Sequence, residues 1–314
     1  MNTCPIVSVV MTTYNNGKYL KEAINSILNQ TFSEFEFIII NDGSTDNSQY
    51  IIDSYKDNRI ISLKHKTRLG VPKSRNKGMK VAQGEYIAVM DADDISLPNR
   101  LELQVKFLDE NSHIGLLGSY YFIIDGAGNF LKSVKPVLTN NELQTKLMEG
   151  NPIAHGSIMF RKECLNTIGG YREKFRYSHD YDLILRIAEH FQIANIPELL
   201  YKYRINPLGI SVVTKVPQES EGPLIKHLAI ERRKYGKEQS NMISWIEMNR
   251  NLIQSYYRWG KYLYCKGSYR SALKSFLRSL PYSLFNIDLI VKTVIKLIIP
   301  KKILLYLMSH QKKI

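Results

Sequence analysis

The chain has 314 residues, 44% of them hydrophobic and 23% charged, with 18 Gly and 11 Pro, enough apolar material for one large or two ordinary domains; this excludes disordered, collagen-like and linker-dominated polymers. Its longest apolar runs fall well short of the roughly 20 residues that a spanning helix needs. The net charge of +14 is uneven: residues 1–210 carry 24 basic and 23 acidic side chains and residues 211–314 carry 19 and 6, so a near-neutral globular unit is followed by a tail that faces something anionic.

In chain order, the Ile- and Val-rich runs Ile6–Met11, Phe35–Ile40, Ile60–Leu63 and Tyr86–Met90 predict buried strands. Helices are predicted between them at Lys18–Leu28, Ser48–Tyr55 and Pro72–Val81. This alternation predicts a mostly parallel α/β sheet with helices on both faces, with ligands outside the carboxyl ends of its strands. Further on, the pattern predicts a helix at Pro98–Leu108, strands at Gly115–Ile124 and Ser157–Phe160, a helix from Asp180 to His190 and a strand at Ile193–Tyr203. Beyond Val216 no strand alternation is visible, and Trp245–Tyr264 and Tyr269–Leu280 read as helices. Pro217, Gly222 and Pro223 cluster near the boundary expected at 211–220. No Lys or Arg precedes Ile6–Met11, and that run is too short for a secretory leader. A cytoplasmic location is the expectation, with Cys4, Cys164 and Cys265 as unpaired thiols.

Three constellations carry chemistry. Thr12-Thr13-Tyr14-Asn15 and Asn41-Asp42-Gly43-Ser44-Thr45-Asp46 follow the first two strands. An isolated Asp-Gly-Ser is accounted for by a turn that caps the next helix, but on adjacent parallel strands the aromatic ring and the carboxylate could hold a nucleobase. Asp91-Ala92-Asp93-Asp94 follows the fourth strand. Three crowded carboxylates raise one another's pKa, a cost that a divalent cation such as Mg²⁺ or Mn²⁺ relieves while gripping a diphosphate; an acidic turn with Asp94 as helix cap is the alternative. Ser178-His179-Asp180-Tyr181-Asp182-Leu183 opens a helix, and carboxylates are favoured there by the helix dipole alone.

These segments, with Gly70…Arg75-Asn76…Gly78 and Gly84-Glu85-Tyr86-Ile87-Ala88, resemble the inverting family-2 glycosyltransferases of the GT-A fold over roughly residues 5–210. The resemblance implies a Rossmann-like GT-A catalytic domain at 1–212, with Thr13, Tyr14, Asn15 and Asp42 around the nucleotide base and Arg75 approaching the nucleotide or diphosphate. Asp91, Asp93 and Asp94 would hold ribose and metal, Mn²⁺ or Mg²⁺. Asp180 matches the catalytic base, and His179 stands where the family usually has glutamate. An unperturbed histidine titrates near pH 6.5, so added pH sensitivity is expected there. His155, in Asn151-Pro152-Ile153-Ala154-His155-Gly156-Ser157, together with His179, Asp182 and Arg204, is assigned to the acceptor or donor-sugar side, although a lone histidine of this kind is more often structural. Asn206 stands where histidine is common, which weakens a metal or diphosphate contact there. The implied partners are a nucleotide-sugar donor, most commonly a UDP-sugar, and a glycan or lipid-linked glycan acceptor, in bacterial surface-polysaccharide synthesis.

In the tail, Tyr256 to Phe276 is similar to one tetratricopeptide-type hairpin, within a helical region expected at 213–282. In 283–314, Asp288, Lys292 and Lys296 recur at four-residue spacing beside a broad apolar surface, and Pro300 is followed by Lys301-Lys302 and a final Lys312-Lys313. Basic amphipathic helices of this kind lie on anionic membranes, which predicts a peripheral enzyme at the inner face of the membrane; packing on the domain or on a dimer partner is the alternative. Two other functions compete, a sugar nucleotidyltransferase and a basic nucleic-acid-binding protein. No nucleic-acid-binding motif accompanies the charge, so no specific nucleic acid is expected as partner.

Overall fold

The computed structural model describes residues 4–205 and 215–238. The hairpin read at 256–276, the basic tail, Asn206 and Cys265 lie outside them. The chain divides into two compact units, Met1–Val213 and Thr214–Ile314.

In the first unit, β1 (Val7–Thr13), α1 (Gly17–Leu28), β2 (Phe35–Asn41), α2 (Ser48–Ser54), β3 (Ile60–Lys64), α3 (Val71–Val81) and β4 (Tyr86–Asp91) alternate as the sequence predicts. Then come β5 (Ile95–Ser96), α4 (Arg100–Glu110), β6 (Ile114–Ile124), β7 (Phe130–Val134), α5 (Asn140–Leu147), a 3-10 turn at His155–Ser157, β8 (Met159–Arg161), α6 (Cys164–Ile168), α7 (His179–Ala188) and β9 (Gln192–Arg204). The strand order is β3-β2-β1-β4-β8-β6-β9-β5, with β7 added on β6. The first four strands are mutually parallel, whereas β8 joins β4 and β6 antiparallel, β6 and β9 pair in parallel, and β5 and β7 add antiparallel edges. The parallel half is as read from the alternation, and the sheet as a whole is mixed.

Side chains alternate across a strand, so β1 buries two faces. Val7, Val9 and Met11 join Leu20, Ala23, Ile24 and Ile27 of α1 and Leu101, Val105 and Leu108 of α4 in one core. On the other face α3 lies close to β1 and β2: a Cβ on Gly78 would come within 2.7 Å of Val10 and 2.8 Å of Ile40. Arg100, fully buried on α4, donates to the carbonyls of Val89 (2.9 Å) and Ile158 (3.0 Å), and so bolts β4 to the segment entering β8.

In the second unit α8 spans Lys215–Tyr235. Pro217, Gly222 and Pro223, which cluster near the boundary expected at 211–220, lie within this helix. No helix among the described residues is long and apolar enough to cross a membrane. Cys4 is exposed and Cys164 buried, and neither is in a disulfide.

Candidate active site

The loops leaving β1 and β2 are stapled to each other and to the loop before α3. Asn15 adopts φ +52°, its backbone N–H donates to Ser44 Oγ (3.0 Å), and its side-chain oxygen accepts from the Thr45 N–H (2.8 Å). Asp42 is buried. Its Oδ1 accepts from the Leu69 N–H (2.8 Å) and Ser74 Oγ (2.9 Å) and lies 3.1 Å from His65 Nδ1, while Oδ2 accepts from the Gly70 N–H (2.9 Å). Gly43, at φ +72°, lets loop 65–70 pass, because a Cβ there would sit 2.7 Å from the Arg68 backbone N. Arg68 in turn lies over the Tyr14 ring, 4.0 Å from its centre. Thr13 Oγ1 is buried without a hydrogen-bond partner.

The acidic turn after β4 is anchored from below by Arg204, at the end of β9. The Arg204 N–H donates to Asp94 Oδ1 (2.7 Å), Nε donates to the Asp93 carbonyl (2.7 Å), and Nη2 pairs with Glu22 of α1 (2.5 Å). Burial, followed by the nearby Asp93 and Asp91, holds the Asp94 carboxyl well above the usual range, against the Arg204 N–H and the neighbouring Tyr201 hydroxyl, and Asp94 Oδ2 is buried without a well-formed hydrogen bond.

Arg75, on α3, is buried between the acidic turn and α7. Its Nη2 pairs with Asp91 Oδ1, its Nη1 lies 2.9 Å from His179 Nε2, and its Cζ is 5.6 Å from the centre of the Tyr171 ring. Burial is the largest influence and opposes its charge, but Asp91, Tyr171, Asp180 and Tyr201 together outweigh it, and the Arg75 pKa rises. His155 Nε2 lies 2.7 Å from the Tyr171 hydroxyl, and the rings of His155, Tyr171 and His179 meet edge-on in a triangle. Burial and Arg75 push His179 down to about 3 and His155 well below its ordinary value. Next to His179, in the first turn of α7, Asp180 Oδ2 accepts from Asn151 Nδ2 (3.1 Å). Burial raises the Asp180 pKa, against Tyr181 N–H, Arg75 and Asn151. A carboxylate with a raised pKa beside a fixed guanidinium is suited to accept a proton.

The model of the family described as Glycosyl transferase family 2 matches residues 8–169. The chain belongs to glycosyltransferase family 2. It is 44% identical over 207 residues to an uncharacterized glycosyltransferase of Methanocaldococcus jannaschii, covering 64% of this chain and 71% of the relative. It is 35% identical over 243 residues to an uncharacterized glycosyltransferase of Haemophilus influenzae, covering 72% of this chain and 73% of the relative. Among solved structures, S. aureus TarS 1–349 superposes with a TM-score of 0.54 at 22% identity over 79% of this chain and 80% of that chain. The mannosyltransferase PcManGT of Pyrobaculum calidifontis, in complex with GDP-Man and Mn²⁺, gives 0.56 at 16% identity over 96% and 82%. These neighbours establish the GT-A fold of the glycosyltransferase.

The fold brings Arg75, Asp91, His155, His179 and Asp180 together and leaves others of the expected set aside. Asp182 is fully buried, with its oxygens taken by Arg172 and by Arg186 (2.9 Å), so it staples α7 to the preceding segment instead of facing a sugar. Arg204, nearly all of it buried, is likewise committed to protein partners. His179 is neutral near pH 7 and does not supply the pH sensitivity expected of an unperturbed imidazole. Asp91, Asp93 and Asp94 do not form a three-ligand cage: among the described residues, no three His, Cys, Asp or Glu side chains converge to hold a metal ion. A cation held by one or two carboxylates together with substrate phosphates needs no such cage, and Asp94 Oδ2, without a well-formed hydrogen bond and with the negative charge around it, fits that smaller donor set. Sequence reasoning missed His65, and it gave no role to Asn76, whose amide exchanges two 2.8 Å hydrogen bonds with the Tyr171 backbone. Nothing local in the sequence marks a partner 95 residues away.

Proposed function

We propose that this glycosyltransferase moves a sugar from a nucleotide-sugar donor, most readily a UDP-sugar, to a hydroxyl of a glycan or lipid-linked glycan, with inversion at the anomeric carbon. The observation that carries this reading is the position of Arg75. It ties Asp91, at the donor end of the parallel strands, to His179, so that Asp180 shares a field with the donor-side acidic turn. The neighbours' own ligands support a nucleotide-sugar donor: TarS has been solved with UDP and with UDP-GlcNAc, and PcManGT with GDP-Man.

In this mechanism Asp180 takes the proton from the acceptor hydroxyl. The freed oxygen attacks the anomeric carbon on the face opposite the nucleotide, and the bond to the diphosphate breaks with its electron pair leaving on the nucleoside diphosphate. Thr13 and Tyr14 contact the base, with Arg68 leaving the Tyr14 ring where a base stacks, while Asp42, whose oxygens are taken by His65, Leu69, Gly70 and Ser74, shapes the base site by holding loop 65–70. Carboxylates from the set Asp91, Asp93 and Asp94 would hold Mn²⁺ or Mg²⁺, which would supply positive charge to stabilise the departing diphosphate. The region 213–282 is assigned as helical, and 283–314 as a membrane-associating tail that brings the enzyme to a lipid-linked acceptor in surface-polysaccharide synthesis.

The test is nucleoside diphosphate release from UDP-, GDP- and dTDP-sugars with Mn²⁺ or Mg²⁺ or with chelator, for wild type and Asp93→Ala. Metal-dependent release from one donor, lost in the variant, is expected. Release of pyrophosphate instead would favour a nucleotidyltransferase, and failure to bind any of the three nucleotides would end the reading. For the tail, the full chain is expected to sediment with phosphatidylglycerol vesicles, and a variant with Lys292, Lys296, Lys301 and Lys302 changed to Glu is expected to stay in solution.

A further inference from the structure

Arg75 is held from two sides, by Asp91 on Nη2 and His179 on Nη1, and its Nε is buried without a partner. A guanidinium has only donors, so His179 Nε2 must present its lone pair to Arg75. The ring proton then sits on Nδ1, which lies 3.3 Å from the Arg176 carbonyl oxygen. The rings of His155 and Tyr171, at 5.9 and 5.5 Å, fix the plane of the imidazole. Arg75 therefore has one anionic partner and one neutral acceptor.

We infer that His179 is a positioning residue for the donor side: through Arg75 it fixes the Asp91 carboxylate, so the residue beside the candidate base helps set how tightly nucleoside diphosphate is held. The inference rests on the reading of the site given above. A neutral acceptor orients the guanidinium without competing with Asp91 for its charge, as a second carboxylate would. The low pKa of His179 agrees with this arrangement. Loss of the acceptor frees Nη1 inside the protein, and Arg75 then relaxes together with the Asp91 it holds.

The experiment measures the Kd of UDP, or of GDP or dTDP where the wild type prefers one of these, together with Tm, in the full chain. His179→Leu is expected to weaken binding about tenfold, the loss that accompanies removal of one hydrogen bond to a charged group. His179→Gln, whose amide oxygen accepts from Nη1, is expected to restore most of it. In an Asp91→Asn background the effect of His179→Leu is expected to shrink, because coupled residues are non-additive. The cycle is also read on Tm, so that it closes even where Asp91→Asn abolishes binding. Three results would overturn the inference: an unchanged Kd in His179→Leu, Gln no better than Leu, or full additivity with Asp91→Asn. A wild type that binds none of the three nucleotides removes the reading beneath it and the inference with it. A wild type that binds normally but shows no coupling removes the inference alone.

Discussion

Asp182 offers a decisive test of how charge is used in this cleft, because its place in an Asp-x-Asp run suggests a ligand and its surroundings say otherwise. Arg172 Nε donates to both of its oxygens, at 2.9 and 3.0 Å, and Arg186 Nε donates to Oδ2 at 2.9 Å. Arg186 also reaches the carbonyls of Ile168 (2.6 Å) and Gly170 (2.8 Å), so the triad pins the turn before Tyr171. Asp182→Asn keeps the volume but removes the charge, and it points an N–H₂ at arginines that can only donate. Breaking a buried pair costs about 3–5 kcal/mol, and the partial exposure of Arg172 (21% against 8% for Arg186) places this one near about 3. For a unit of this size each kcal/mol lowers Tm by about 2–4 °C, so a fall of about 6–12 °C is expected in differential scanning fluorimetry. Well below the transition, the donor KM of the folded variant should stay near that of the wild type. A Tm within about 2 °C of wild type, combined with a fall of about tenfold or more in kcat/KM, would refute the reasoning and return Asp182 to the substrate.

Asp180→Asn should lower kcat by about 10²–10⁴, the usual worth of a general base, and leave the Kd for nucleoside diphosphate unchanged by calorimetry. Because burial raises the Asp180 pKa, activity should rise with pH as the carboxylate ionises above its ordinary range; its contribution to stability runs the other way, full below the unfolded value and lost as pH rises through the folded one. His179 has the opposite sign. Its folded pKa is depressed, so its stabilising contribution is present above 6.5 and is lost as pH falls toward about 3; the Tm of His179→Gln should therefore fall less across that window than the Tm of the wild type. Gly43→Ala, which forces a Cβ to 2.7 Å from the backbone of loop 65–70 at a positive φ, should cost about 1–3 kcal/mol in denaturant unfolding and weaken donor binding in calorimetry.

The parallel half of the sheet was legible because β1, β2 and β4 are buried on both faces and read as apolar runs, while β3 at the edge is only part-buried and α1 shows its apolar stripe directly. Elements without that contrast were not found. β7 is exposed along nearly its whole length and β5 has two residues. α5 does carry a local signal, since Thr139 and Glu142 form a capping box. At the site, sequence brought the right residue types together but could not separate a charge offered to a ligand from one consumed by the protein. Asp91 and Asp182 both stand in Asp-x-Asp runs. One carboxylate meets a single arginine at a partly open turn, and the other is enclosed by two. That difference is set by where Arg75, Arg172 and Arg186 arrive, and only the fold decides it.

The division of labour in the sheet explains why α3 matters beyond its packing. The loops after β1, β2 and β4 belong to the parallel half, whereas Tyr171, His179 and Asp180 follow β8, which joins that half antiparallel. The β4–β8 and β5–β9 pairings join the two halves of the sheet. Two adjacent side chains of α3 tie the loops themselves: Arg75 binds Asp91 on one side and His179 on the other, and Asn76 exchanges paired hydrogen bonds with the backbone of Tyr171. Gly78, one turn further along the same helix, permits the close approach to Val10 and Ile40 that sets the depth of both side chains. One helix seated directly on the sheet thus touches both the donor loops and the segment that holds the candidate base, so an error in its seating would be felt at both ends of the reaction at once.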